Sequence, residues 1–217
     1  MTDLASGKDS EHFWGRVRSA LGALRPVSRE RVPAYGQAAI ARQIGIKPRL
    51  GARIEEELSE SWTKAAARKV SMSLLVIEID RMGEYFTAYG KEATDDCVRA
   101  VMRAIADALP RDGDLCLRLG RSTFVVALPD LPVLLAKTSA GHINEAIRSL
   151  GLSHKESHAG IVTVSMGLAV TNPVGAYDRI FFETAAAALK KAQRKGLGRL
   201  QTTDLRPAHD KKRKAAA

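Results

Sequence analysis

Apolar residues recur along the chain with two spacings, and the change from one to the other predicts the secondary structure. A spacing of three or four residues is typical of an amphipathic helix, whereas continuous or alternating apolar runs rich in Val and Ile are typical of buried strands. Helical spacing covers residues 54–68, 91–109, 132–150 and 180–195, and the strand pattern covers 72–80, 115–119, 123–129 and 160–170. The second and third strands lie so close in sequence that we expect a hairpin, with its tip at Gly120-Arg121 or Arg121-Ser122.

The order of these elements is strand, helix, hairpin, helix, strand, helix. A hairpin requires an antiparallel pair, while the alternation of strands and helices is typical of a sheet covered by helices. The pattern therefore predicts an α/β domain with a mixed sheet, which we place at residues 40–202.

Two segments flank this predicted domain. The arm at 1–39 contains an amphipathic stretch, 12–27, whose apolar residues have helical spacing and which Pro26 ends. We expect this stretch to pack on its own domain or on a partner. The tail at 203–217 contains the basic run 211–214 followed by alanines, a composition that predicts disorder.

The net charge, the cysteines and the lack of long apolar runs indicate which partners and which compartment to expect. The chain has 34 Lys and Arg against 24 Asp and Glu, a net charge of +10 that attracts nucleotides, nucleic acid or acidic partners. Cys97 and Cys116 lie inside periodic apolar segments without metal or disulfide spacing, so we expect buried free thiols in a reducing compartment, the cytoplasm. No run of about 18 apolar residues and no secretory signal pattern is visible, which predicts no membrane span.

Four separated strings are similar to the motifs of the GGDEF, or diguanylate cyclase, family. They are 78-EIDRMGEYFTAYGK-91, 118-RLGRSTF-124, 163-TVSMG-167 and 188-ALKKAQRKG-196. Members of that family join two GTP molecules into cyclic di-GMP. The resemblance implies the nucleotidyl-cyclase-like fold, with a central, mostly antiparallel five-stranded sheet flanked by helices.

The resemblance also assigns family positions at the first string. Glu78 and Asp80 take the places of two acids, of which the first binds a divalent metal in the family. Phe86 takes the place of an Asn that reads guanine; its ring can stack on a base but has no group to read the edge. Asp95 matches a second guanine-reading acid.

The remaining active-site positions of the family differ here from its pattern. In the hairpin turn, Arg121 replaces the second Gly, Ser122 the metal-binding acid, and Thr123 the neighbouring Glu. Gln193 replaces a Lys that contacts phosphate in the family. Because Mg²⁺ is usually held by one or two carboxylates beside phosphate oxygens, we expect no metal, no cofactor and no cyclase activity.

A separate inhibitory site of the family, Arg-x-x-Asp, has a counterpart in 111-RDGD-114, with Asp114 six residues before Gly120. An Arg fork can donate to guanine O6 and N7, and a carboxylate can accept from the opposite edge. The alternative is that these residues form only a helix-to-strand turn. Further basic residues of this site come from two helices in the family, and the candidates are Lys64, Arg68, His142 and Arg148.

The first hypothesis is a catalytically inactive GGDEF-like receptor that binds cyclic di-GMP through Arg111 and Asp114 and signals to a protein partner. The alternatives are a ligand-independent interaction scaffold and a GTP-binding regulator that uses Glu78 and Asp95. Nucleic-acid binding ranks last, because the basic run 211–214 lacks interleaved aromatic residues. The sequence does not identify the partner, and a homodimer is one of the assemblies it leaves open.

Overall fold

The structure is a computed structural model that describes residues 50–109 and 111–207. The predicted arm 1–39 and the basic run 211–214 lie outside the described residues. Helices α1 to α4 cover, in order, Leu50–Ala67, Met82–Asp107, Val133–Ser149 and Ile180–Arg194. Strands β1 to β5 cover Met72–Ile79, Leu115–Arg118, Thr123–Pro129, Val164–Thr171 and Leu200–Asp204.

Within the described residues the strands form one five-stranded sheet in the order β2-β3-β1-β4-β5. The central strand β1 is antiparallel to both of its neighbours, β3 and β4, and β2 is antiparallel to β3. Only β4 and β5 are parallel. The predicted mixed sheet with an antiparallel hairpin and covering helices is therefore confirmed.

The side chains of β1 point alternately into two apolar layers, because successive residues of a strand face opposite sides of the sheet. One layer contains helices α2 and α3, and the other contains α1 and α4. The β1 residues of the first layer are Leu75, Ile77 and Ile79, and those of the second are Met72, Leu74 and Val76. By this alternation Glu78, near the end of β1, faces the layer of α1 and α4.

Gly167 sets the distance between α4 and the sheet. It lies in β4 opposite Val76, and a Cβ at this position would be 2.1 Å from the Ala185 carbonyl oxygen and 2.2 Å from the Leu189 nitrogen. Since atoms cannot approach so closely, only glycine allows α4 to pack here. This contact places the last turns of α4 beside the end of β1.

Helix α2 begins at Met82, well before the predicted start at residue 91. Its first turns lack clear apolar periodicity, and Gly90, with φ 81°, interrupts the helical backbone between them and the predicted part. The pattern identified the second part of the helix because only there do apolar residues recur along one face.

The last two strands also differ from the predicted pattern. Strand β4 starts at Val164 instead of residue 160, since Ile161 leaves the sheet to form an isolated bridge with Ser153. Strand β5 was not predicted from the pattern, because Leu200–Asp204 is short and mostly polar. It ends two residues beyond the predicted domain end at 202.

Neither Cys97 nor Cys116 forms a disulfide, as predicted, but their environments differ. Burial raises the pKa of the Cys97 thiol to about 11, so this group stays protonated at neutral pH. Cys116 is only partly buried, because β2 is an edge strand. Among the helices of the described residues, none combines the length and apolar character needed to cross a bilayer.

Candidate functional site

The end of β1 carries the first group of predicted site residues. Glu78 is half-buried, and its Oε2 accepts a hydrogen bond of 2.8 Å from Gln193 Nε2 in the last turn of α4. Glu78 also pairs with Thr123 of β3. The next residue, Ile79, donates its N–H to the Ser122 carbonyl at 3.0 Å. The fold therefore brings together residues from three distant parts of the sequence.

Asp80 follows β1 and has a different environment. It is 3% exposed, and its carboxylate accepts hydrogen bonds from Thr163 Oγ1 at 2.8 Å, Ser165 Oγ at 2.6 Å and the Gly198 N–H at 2.9 Å. These donors come from the segment before β4, from β4 itself and from the loop after α4. A buried carboxylate with such partners stabilises the fold, and Asp80 joins three segments at this end of the sheet.

The hairpin turn is held by the side chain of Arg118. Its Nε donates to the Gly120 carbonyl at 2.8 Å, and its Nη2 donates to the Arg121 carbonyl at 2.9 Å. The Leu119 N–H closes the turn onto the Thr123 carbonyl at 2.9 Å. The turn lies where the sequence predicts it, and the Arg121 side chain is exposed.

The first turns of α2 carry the predicted base-reading position. Phe86 is 42% exposed, and Asp95, beyond the break at Gly90, is exposed as well. A cavity of about 640 Å³ borders this segment and is lined by Gly83, Glu84, Thr87, Ala88 and Glu156. Among the contacts of the described residues, no hydrogen bond or ion pair links Phe86 or Asp95 to Glu78.

Arg111 lies at the opposite end of the sheet, where β1 starts and β3 ends. Its guanidinium donates through Nη2 to the Pro129 carbonyl and through Nη1 to the Asp130 carbonyl at 3.3 Å. Its Nε lies 3.4 Å from Asp114 Oδ1, and the Asp114 side chain is only 2% exposed. The predicted pair therefore exists as an internal ion pair next to the end of β3.

Arg68, from the end of α1, joins this cluster. Its Nη2 forms a 3.1 Å ion pair with Asp130 Oδ2, so Asp130 contacts Arg68 through its side chain and Arg111 through its backbone. Lys64, one turn earlier on the helix, pairs with Glu60 at 2.6 Å and is 70% exposed. The structure thus brings Arg68, which directly follows α1, to the Arg111 cluster through Asp130.

The two candidates on α3 are not part of this cluster. His142 and Arg148 are exposed, and the hydrogen bonds and ion pairs described for Arg111 reach neither of them. Helix α3 starts at Val133 beside the cluster, and a helix rises about 1.5 Å per residue, so both residues lie far along it.

The fold and these contacts can be compared with known proteins. Residues 51–199 match the family model described as "Diguanylate cyclase, GGDEF domain". The chain belongs to the GGDEF domain family. Among curated relatives, the probable diguanylate cyclase DgcC of Escherichia coli K12 is 27% identical over 129 residues, covering 59% of this chain and 34% of DgcC. The diguanylate cyclase DgcM of the same strain is 30% identical over 128 residues, covering 59% and 30%. The matches thus span about a third of the relatives' length.

Solved GGDEF structures share the fold of the described domain. The GGDEF domain of DgcB from Caulobacter crescentus, in complex with c-di-GMP, has a TM-score of 0.62 at 23% identity, covering 69% of this chain and 87% of that one. The active GGEEF domain of a Vibrio cholerae diguanylate cyclase has a TM-score of 0.58 at 19% identity, with coverage of 70% and 94%. The diguanylate cyclase SiaD of Pseudomonas aeruginosa, in complex with its activator SiaC, has a TM-score of 0.61 at 21% identity, with coverage of 90% and 76%.

The family resemblance implies a divalent metal beside Glu78, and the residues present do not fit one. The Glu78 carboxylate is hydrogen-bonded to an amide, and the turn opposite it contributes the neutral hydroxyls of Ser122 and Thr123. Within residues 50–109 and 111–207, no three His, Cys, Asp or Glu side chains come together as metal ligands. Hard cations such as Mg²⁺ prefer carboxylate and phosphate oxygens, which the hydroxyls of Ser122 and Thr123 do not supply.

Sequence reasoning missed two groups of residues at these sites. Thr163 and Ser165 donate hydrogen bonds to Asp80. In the sequence, this role could have been found from two hydroxyl residues at alternate positions in an otherwise apolar segment, together with an acid at the end of another strand. Asp130 organises the Arg111 cluster, and no local sequence pattern connects it with Arg68, 62 residues away.

Proposed function

We propose that this protein is a catalytically inactive GGDEF domain that binds cyclic di-GMP through Arg111 and Asp114 and transmits the bound state to a protein partner. One observation carries the binding part of this proposal. Arg111 and Asp114, from the turn before β2, and Arg68, which follows α1, meet around Asp130 at one end of the sheet. Arginine forks recognise guanine edges and phosphate oxygens, both of which cyclic di-GMP presents.

The lack of cyclase activity is supported by the opposite end of the sheet. A GTP-using site needs positive charge near the phosphates and carboxylates for a metal. The side chain that meets Glu78 is the neutral amide of Gln193. The turn beside it contains Ser122, which takes the place of an acid in the resemblance to the family. Phe86 takes the place of the family's guanine-reading Asn in the resemblance, and its side chain has no hydrogen-bonding group.

A related structure supports cyclic di-GMP as the ligand. The DgcB domain, whose fold this chain shares, was solved with c-di-GMP bound. Binding of a protein partner is supported by SiaD, a neighbour of the same fold that was solved with its activator SiaC. A ligand transmits a signal only when it binds two conformations or two assembly states unequally.

A ligand-independent scaffold is the second candidate function, and a specific observation favours it. The Arg111 guanidinium is already engaged with backbone carbonyls and Asp114, and the Asp114 side chain is 2% exposed. Such an arrangement also suits a purely structural clamp between the end of α2 and the end of β3.

Calorimetric titration of the full chain separates these functions. We expect the natural protein to bind cyclic di-GMP, and Arg111→Ala to weaken that binding at least tenfold, since a charge-assisted arginine contact is lost. Arg194→Ala is the matched control, an exposed arginine on α4, and should leave the affinity within twofold. Absence of heat at tens of micromolar cyclic di-GMP would favour the scaffold.

A parallel titration with GTP and Mg²⁺ tests the remaining candidate. We expect no heat from GTP and no cyclic di-GMP formed on prolonged incubation. Binding that depends on Glu78 or Asp95 would instead support a GTP-binding regulator, and any product formation would contradict an inactive domain.

A further inference from the structure

We propose that Asp130 holds the ligand site in a closed form, and that Arg111 and Arg68 must be released from Asp130 before cyclic di-GMP binds. This inference rests on the proposed function and concerns the regulation of the same site. We call the contacts of Asp130 with these two arginines the Asp130 latch. It predicts a ligand affinity set by how often the latch opens.

The donors of Arg111 are the first component of the closed form. All three nitrogens of its guanidinium have partners: Nη2 the Pro129 carbonyl, Nη1 the Asp130 carbonyl and Nε the Asp114 carboxylate. A guanine edge needs two adjacent donors of the fork at once. The guanidinium has five N–H donors, one on Nε and two on each Nη, and its contacts engage one donor on every nitrogen. An adjacent pair of donors can face a guanine edge only after Arg111 leaves at least one of these partners.

The burial of Asp114 is the second component. Its side chain is 2% exposed, and Arg111, itself 35% exposed, lies against it. A carboxylate in this position cannot accept hydrogen bonds from a base outside the protein. Movement of Arg111 away from β3 is the smallest change that exposes Asp114, so one motion frees both members of the pair.

Asp130 is placed to control that motion because it contacts both arginines. Its backbone adopts the left-handed region, with φ 57°, and its N–H donates to the Ser71 carbonyl at 2.8 Å. This turn directly follows β3 and presents consecutive carbonyls, those of Pro129 and Asp130, to Arg111. The Asp130 side chain meanwhile holds Arg68 at 3.1 Å.

The latch is built from contacts that a ligand can replace. The Arg68–Asp130 pair is solvent-exposed, with 65% and 47% of the side chains accessible, and exposed pairs contribute little to stability. A ligand that binds only the open form has its apparent affinity reduced by the fraction of molecules that are open. Weakening the latch should therefore tighten binding without adding any new contact to the ligand.

Asp130→Asn is the variant that tests this inference. Asn removes the charge that holds Arg68, yet it tolerates the left-handed backbone, so the turn should remain folded. We expect cyclic di-GMP to bind Asp130→Asn about three- to fivefold more tightly than the natural protein, with a faster association rate. Calorimetry and stopped-flow binding on the full chain measure both quantities.

Asp112→Asn is the matched control, because it removes one negative charge from an exposed residue next to Arg111 that lies outside the latch. It should change the affinity less than twofold. Equal tightening in both variants would show that net charge alone acts, and would overturn the latch. An unchanged affinity of Asp130→Asn, together with binding weakened at least tenfold by Arg111→Ala, would overturn the latch and leave the proposed function intact. Failure of the natural protein and of Asp130→Asn to bind would reject both.

Discussion

The two ends of the sheet hold their charged side chains in opposite ways. Where β1 ends, the carboxylates of Glu78 and Asp80 accept hydrogen bonds from neutral amide, hydroxyl and backbone donors. Where β1 begins, Arg68 pairs with the Asp130 carboxylate. Arg111 contacts the Asp114 carboxylate and the backbone carbonyls of Pro129 and Asp130. The first end thus stabilises negative charge and the second stabilises positive charge.

Because of this difference, the two ends are not equally suited to bind an anionic nucleotide. Carboxylates such as those at the end of β1 repel phosphate unless a metal compensates them. A guanidinium held by weak, partly exposed contacts can exchange them for a phosphate or a guanine edge. The comparison supports a structural role for the hairpin end and a binding role for the Arg111 end.

Replacement of Asp80 by alanine should have the largest effect on stability. The change leaves two hydroxyls and one backbone N–H in a buried site without their acceptor. Hydrogen bonds to charged groups contribute about 1.5–3 kcal/mol each, so we expect the free energy of unfolding to fall by about 4.5 kcal/mol, the lower end of the total for three bonds. Urea denaturation followed by circular dichroism measures this loss. A loss below about 1 kcal/mol would show that the hairpin end is not held together by Asp80.

Replacement of Gly167 by alanine should come next. The added Cβ would overlap the backbone of Ala185 and Leu189, so α4 must move away from the sheet. Overpacking of a core typically costs about 1–3 kcal/mol, and we expect the upper end because backbone atoms cannot rotate aside. Gly141→Ala, in the middle of α3 with open space around it, is the control. It should be neutral or stabilising by up to about 1 kcal/mol in the same denaturation experiment.

Alkaline pH should weaken the core that joins the two ends. Burial raises the pKa of the Cys97 thiol from 9.0 to about 11, so the folded state retains a proton that the unfolded chain loses. The stabilisation is complete below pH 9.0 and decreases as the pH rises towards about 11. One proton contributes a slope of at most about 1.4 kcal/mol per pH unit. Cys97→Ala should reduce this slope between these pH values, and an unchanged slope would contradict the assignment to Cys97.

The smallest effect on stability should come from Asp130→Asn. Because the Arg68–Asp130 pair is exposed, its loss should change the free energy of unfolding by less than about 1 kcal/mol. The same variant is expected to tighten ligand binding by about three- to fivefold, so a measurable affinity change without a loss of stability separates the latch from the fold. If thermal denaturation showed a loss of several kcal/mol, Asp130 would be a structural residue in the same sense as Asp80.

The sequence predicted those helices and strands whose apolar pattern matches the burial of their side chains in the fold. The apolar run of β1 and the periodic second part of α2 are buried as their patterns indicate. The first turns of α2 and strand β5 were missed, because a break at Gly90 and a polar edge strand depend on tertiary contacts. Pairing with β4, and not its own composition, makes Leu200–Asp204 a strand.

At the candidate sites, too, the sequence predicted which residues belong together better than it predicted their environments. Motif spacing identified Glu78, Ser122 and Gln193 as one group, and the structure brings them together. Spacing also identified Arg111 and Asp114, but the burial of Asp114 depends on how Arg111 packs against the end of β3. The role of Asp130 follows from a left-handed turn and a contact with a distant helix, neither of which has a signature in the sequence.

The central claim is that the ligand acts at the Arg111 end of the sheet and not at the hairpin end. Chemical-shift mapping of the ¹⁵N-labelled full chain on titration with cyclic di-GMP tests it most directly. We expect the perturbed backbone amides to cluster at residues 111–114 and around Asp130, with no response at Glu78 or at the hairpin turn, 120–122. Perturbations centred on Glu78 and the turn, with residues 111–114 unaffected, would contradict the account.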